Sequence, residues 1–234
     1  MGSEMCIRDR YVTAGLLNLT HRNGHAEPEA LLPGDVYEIE VPLNVIAYRF
    51  KRGHRIRVSI SESYWPQVWP SPEAVELTVH TGVSQLVLPG RPAASKDLEN
   101  LGFTDPAPYD RSVITPTVAG DNKQELTGPD ENGRYQVHTL SDSGGLLINA
   151  TGTEMRLRSE WISTIEKSDP NSSAWSGYFS IELKRGDWDI KTLSNFDLTS
   201  DKTNFHISTD LVVYEKNSVI FSKEWKDSIP RDLA

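Results

Sequence analysis

The hydrophobic and polar positions of this chain repeat with a period of two over most of its length. In "RIRVSISE", Ile56, Val58 and Ile60 fall on one side, while Arg55, Arg57, Ser59 and Ser61 fall on the other. Side chains alternate across a strand, so this pattern predicts a half-buried antiparallel strand. "VYEIEV" repeats it with Tyr37, Ile39 and Val41 against Glu38 and Glu40, and "VELTVH" with Val75, Leu77 and Val79. "SQLVLP" adds a short strand ending at Pro89. Turn chemistry separates these runs at Pro33-Gly34-Asp35, Lys51-Arg52-Gly53 and Pro70-Ser71-Pro72. Asn44–Phe50 is read as either strand or a short helical turn. The grammar of residues 11–90 is that of a β-sandwich or jelly roll.

Residues 91–111 lose this periodicity and carry Pro92, Pro106 and Pro108, which predicts a linker. From 112 to 234 the alternation returns in longer runs: "MRLRSEWIS", "AWSGYFSIELK", "WDIKTLSNFDL", "NFHISTDLVVY" and "SVIFSKEW". Gly186-Asp187 and Lys216-Asn217 are the natural hairpin turns between them. Strands of this length predict one broad, curved sheet. The expected fold class is mainly β: a partial, galactose-binding-like jelly-roll sandwich followed by a second antiparallel β-rich region.

Composition narrows the function classes. The 234 residues carry a net charge of −9 with both signs interspersed, which argues against a nucleic-acid partner. No apolar run is long enough to span a membrane. Cys6 is the only cysteine, so no internal disulfide staples the fold. That usage fits a reducing compartment and leans toward a cytoplasmic location.

Candidate chemistry is sparse. His21 and His25 have the i, i+4 spacing of two helix-borne metal ligands, but Asn23-Gly24 between them signals a turn. They are read as loop histidines, and neither a metal nor a cofactor is expected. No Gly-x-Ser-x-Gly nucleophile elbow occurs; the nearest stretch, "SDSGG" at 141–145, is read as a hairpin loop, and no catalytic residue is assigned. Arg185-Gly186-Asp187 is read as a turn, and the glycosylation-type triplets at Asn18, Asn149 and Asn171 lack a secretory context. The most conspicuous feature is "YWPQVWP". Tyr64, Trp65 and Trp69 sit in one proline-rich loop. Large aromatics there anchor the loop against another domain or stack on a ligand.

Several stretches together resemble the C-terminal part of the cocaine-esterase/nonactate-hydrolase (CocE/NonD) group of the Xaa-Pro dipeptidyl-peptidase family. They are "VTAGLLNLTHR", the block from Leu32 to Gly82, "LKRGDWDIKT" and "IFSKEWKDSIPRDLA". The resemblance implies that 11–90 is the latter part of a jelly-roll domain. It also implies that a serine α/β-hydrolase domain of the same chain precedes it, hydrolysing acyl esters or Xaa-Pro peptides. No catalytic position of the family maps onto this sequence. The expected role is therefore scaffolding of that catalytic domain, with a carbohydrate-binding module or a structural tail that aids homo-oligomerisation as alternatives.

Residues 1–10, "MGSEMCIRDR", resemble a laboratory oligonucleotide. They read back as GTG GGC TCG GAG ATG TGT ATA AGA GAC AG plus one base, the adapter of transposase-based library preparation. This segment is expected to be an adapter-derived artefact without order, and the chain a fragment of a longer protein. A sandwich lacking part of its strands leaves an uncovered apolar face, so 11–90 is expected to expose more apolar surface than an ordinary monomer.

Overall fold

A computed structural model describes residues 10–90, 104–105 and 113–234. Residues 1–9 and nearly all of the expected linker at 91–111 lie outside the described residues.

Among the described residues, every strand lies in the second region. Nine strands form one antiparallel sheet: β1 (Ile114–Val118), β2 (Asp121–Thr127), β3 (Arg134–Asp142), β4 (Gly145–Ile148), β5 (Thr153–Glu166), β6 (Asp169–Arg185), β7 (Trp188–Ser200), β8 (Asn204–Glu215) and β9 (Ser218–Pro230). β1 pairs with β4, β2 with β3, and both β3 and β4 lie along β5. β1–β2 and β3–β4 are thus two long arms, each interrupted once. From β5 to β9 every strand pairs with the next, making a meander. The two-residue turns at Gly186-Asp187 and Lys216-Asn217 fall where the sequence sets them. Lys216 and Gly186 both adopt positive φ there, as tight hairpins require.

The interruption corrects the reading of "SDSGG". The chain does not reverse there. Asp142 ends β3, Ser143 and Gly144 bulge out, and Gly145 resumes as β4 in the same direction. Gly144 has φ +69, and a Cβ there would run into the Val118 carbonyl, so no other residue fits without displacement. The ladder is patched by side chains: Leu157 N–H donates to Ser143 Oγ at 2.9 Å, and Gly144 N–H donates to Asp142 Oδ1 at 2.9 Å. The sequence shows a Gly-rich break either way; only the position of the partner strand separates a bulge from a hairpin.

Register divides the sheet into two unlike faces. One face carries the row Trp161, Gly177, Phe196, Thr209, Trp225 across five strands, with Phe179, Leu198 and Ile207 alongside. The Trp161–Phe179 and Phe179–Phe196 rings stack at 6.3 and 5.6 Å. The other face carries Arg156, Arg158, Glu160, Tyr178, Glu182, Lys191 and Asp210. This is a single layer: among the described residues, Val137 is the one buried hydrophobic side chain.

Residues 10–90 depart from expectation. They form a 3-10 turn at Leu19–His21 and hydrogen-bonded turns near Gly34 and Gly53, but no β-ladder and no helical turn at 44–50. The jelly roll is not seen. The alternation is real, yet its inward positions stand open: Ile56, Val58 and Ile60 are 52%, 57% and 64% exposed. Alternation fits a chain to a pleated, half-buried surface but does not supply the neighbour that completes the ladder. The same holds for Val75, Leu77 and Val79, which are 46%, 42% and 42% exposed.

Candidate functional site

The tryptophan loop meets the sheet at one end of its apolar face. Val68 N–H donates to the Tyr64 carbonyl at 3.0 Å, curling residues 64–68 into one turn. Trp65 Nε1 donates to Ser173 Oγ at 3.2 Å, and Trp69 Nε1 donates to Ser200 Oγ at 2.8 Å. Ser173 lies on β6 and Ser200 closes β7; both are buried. Small hydroxyl residues make the floor, and large rings make the walls. Trp69 lies 6.0 Å from Trp175 and, edge-on, 5.9 Å from Phe205. Buried indoles need a partner for the N–H, and these two have one. The Trp175 N–H, also buried, has none. Tyr64 points away and is half exposed.

Arg231, just past β9, locks the junction. Its side chain is 3% exposed. It donates to the carbonyls of Pro70 and Asp201, to Ser200 Oγ at 3.3 Å and to the main-chain oxygen of Ala234 at 2.8 Å. The guanidinium lies 4.9 Å over the Phe205 ring. Burial lowers its pKa, and the Asp201 charge opposes that shift. Asn171 Nδ2 holds the next carbonyl, Pro72, at 2.9 Å. Thr20 Oγ1 donates to the Leu233 carbonyl at 2.8 Å, so the segment after β9 also grips the 3-10 turn. The sequence singles out the tryptophans but not Arg231, Ser173 or Ser200, and marks Asn171 only as part of a glycosylation-type triplet. Their partners lie about 100 or more residues away in the chain, with no local spacing to reveal them.

The polar face holds an ionic network beside a shallow depression of about 290 Å³. Asp142 accepts from Arg156 Nε at 3.0 Å and Nη2 at 2.5 Å. The Arg156 hydrogen bond, with the Gly144 amide, lowers the Asp142 pKa to about 2. Glu160 takes bonds from His138 and Tyr178 at 3.0 Å each and from Arg158 at 3.1 Å, and the first two lower its pKa. Each cation here has a carboxylate partner, including Lys191 with Glu182 at 3.1 Å.

One arrangement has the connectivity of a hydrolytic triad. Ser228 Oγ lies 3.2 Å from His206 Nδ1, and His206 Nε2 lies 2.9 Å from Asp201 Oδ2. All three are exposed on the sheet surface with no enclosing cleft. The Ser228 amide is already capped by Asp227 Oδ1 at 2.8 Å. Asp201 caps the Thr203 and Asn204 amides, and these bonds with His206 hold its carboxyl well below the usual range. Such a chain orders a hairpin end; it lacks the pocket and oxyanion donors that acyl transfer needs.

His21 and His25 meet Nδ1 to Nδ1 at 3.0 Å, a hydrogen bond between two rings. Among the described residues no group of three or more His, Cys, Asp or Glu is gathered as for a metal. The glycosylation-type asparagines are engaged: Asn18 caps Thr20, Asn149 bonds Thr115 and Asn171 bonds Pro72.

Comparison with known proteins gives one match. Residues 3–98 fit the family model described as X-Pro dipeptidyl-peptidase C-terminal non-catalytic domain. The match covers less than half of the chain and ends before β1. No curated protein and no solved structure matches.

Proposed function

We propose that residues 11–90, within the 3–98 span that fits the X-Pro dipeptidyl-peptidase C-terminal non-catalytic domain, scaffold a catalytic α/β-hydrolase domain, and that the sheet of β1–β9 is the platform that holds them. The observation that carries this reading is the exposed apolar side of the alternating segments. Ile56, Val58 and Ile60, and likewise Val75, Leu77 and Val79, stand open in a pattern suited to a strand face. Surfaces of this extent belong against a partner. The partner's role is to supply neighbouring strands and a covering face, whereupon 11–90 closes into the jelly roll that its alternation encodes. Catalysis, an ester or peptide hydrolysis at an activated serine, stays with the partner.

The tryptophan loop has a structural part in this scheme. Trp65 and Trp69 fix the domain to the sheet, so its orientation toward the catalytic partner is set at the junction. A sugar platform would need open indole faces with free polar neighbours, whereas both indole N–H groups are spent on Ser173 and Ser200.

The test is reconstitution. The full chain is mixed with an α/β-hydrolase domain of the Xaa-Pro dipeptidyl-peptidase type that carries the first part of the jelly roll. Hydrophobic-dye binding should fall and amides in 36–89 should gain protection. Unchanged dye binding and exchange would rule the scaffold reading out.

A further inference from the structure

The two edges of the sheet are unlike. On the β1–β2 side the arm is broken at Ala119-Gly120, and Pro116 removes a donor from β1. On the other side β9 runs thirteen residues, pairs with β8 alone among the described strands and is exposed throughout. A long, open edge strand is a template for another strand.

The sequence of β9 has a symmetry suited to one particular partner. About Trp225 the strand reads Phe221, Ser222, Lys223, Glu224, then Trp225, then Lys226, Asp227, Ser228, Ile229. Reflected through Trp225, Lys223 falls on Asp227, Glu224 on Lys226, Ser222 on Ser228 and Phe221 on Ile229. Two antiparallel copies related by a two-fold axis normal to the sheet must place one residue opposite itself. Centring on Glu224, Lys223, Lys226 or Asp227 sets like charges face to face. Centring on Trp225 sets all four charges against opposite ones, the apolar pair together and the serines together.

We infer that β9 is a self-pairing edge, joining two copies of this chain into one continuous sheet with Trp225 on the two-fold axis. The faces agree as well as the register. Trp225 ends the row Trp161, Gly177, Phe196, Thr209, and a two-fold there continues that row into the second copy. Within one copy Glu224 pairs with Lys226 of its own strand at 2.6 Å, and the Lys223 ammonium lies 4.8 Å over the Trp225 ring. Both pairs sit at the rim, ready to be shared across the axis. Opposite-charge and aromatic cross-strand pairs stabilise a sheet, and the two-fold counts every off-axis pair twice. The inference concerns the edge, so it stands apart from the partner proposed for 11–90.

Cysteine trapping in the full chain with Cys6→Ser tests the register. Trp225→Cys should oxidise to a disulfide dimer. Lys223→Cys and Asp227→Cys should each form no disulfide alone, because each residue then lies about 13 Å along the strand from its own copy, yet crosslink when mixed. Far-UV circular dichroism reports whether each variant keeps its sheet. Independently, Lys226→Glu should weaken dimerisation at least tenfold by sedimentation, and Glu224→Lys combined with Lys226→Glu should restore it. Crosslinking that ignores position, a monomer with no Trp225→Cys dimer, or a Lys226→Glu variant that dimerises normally would overturn the inference.

Discussion

Residues 10–90 and the sheet of β1–β9 carry the same alternating pattern, yet only the second completes its hydrogen bonds within the described structure. The difference is in the neighbours. In the sheet, consecutive strands are joined by tight turns, so each strand's partner is the next piece of chain. Local pairing of this kind needs little loop closure. In 10–90 the alternating runs are separated by longer loops, and a jelly roll pairs strands distant in sequence. A pattern that suits a strand stays unpaired until the right neighbour arrives.

The largest expected effect comes from breaking the sheet. Gly177 lies under Trp161, and a Cβ there would sit 2.6 Å from Trp161 Cα. Gly177→Val should cost more than about 3 kcal/mol, seen as loss of the cooperative thermal transition. The emission of Trp65 and Trp69 should shift with it, because Ser173 and Ser200 that seat them belong to the sheet. If the transition survives unchanged, the close packing at Gly177 does not hold.

The next effect separates the regions. Arg231→Met keeps the stem and removes the donors to Pro70 and Asp201, leaving the buried Pro70 carbonyl unpaired. About 2–4 kcal/mol should be lost, with red-shifted emission as Trp65 and Trp69 detach. Sheet amides should stay protected; their joint loss would mean that the junction and the sheet are one cooperative unit.

Acid reaches the sheet through Asp142. The Asp142 pKa is depressed in the folded state, so its contribution is complete above the unfolded value near 4 and is lost as pH falls through about 2. The magnitude is on the order of 2 kcal/mol, and Asp142→Asn should flatten the stability profile across that window. Smallest is Trp69→Phe, which keeps a ring but abandons the bond to Ser200. About 1 kcal/mol should be lost, visible as a modest drop in the urea midpoint, with no change expected from Tyr64→Phe at its exposed position.

The long strands were legible because each carries its period and its turn. Gly186-Asp187 and Lys216-Asn217 announce the β6–β7 and β8–β9 hairpins without any distant information. The break at Ser143-Gly144 was half legible, since glycine marks an irregularity but not its direction. The tryptophans declared an anchor by residue type, while Ser173, Ser200 and Arg231 did not declare what they anchor. A serine or an arginine is ordinarily a surface residue, and only the fold reveals these as floor and lock. The runs of 11–90 read as strands, yet no ladder is seen across 10–90, because period reports suitability for a ladder, not its partner.

Amide hydrogen exchange on the full chain, read by mass spectrometry at neutral pH, tests the central contrast most directly. Peptides from β5 to β8 should stay protected for hours, while those covering 36–41, 55–61 and 74–89 should exchange within the first minute. Comparable protection of the two regions would contradict the account, since it would mean that 11–90 completes its ladder without a partner.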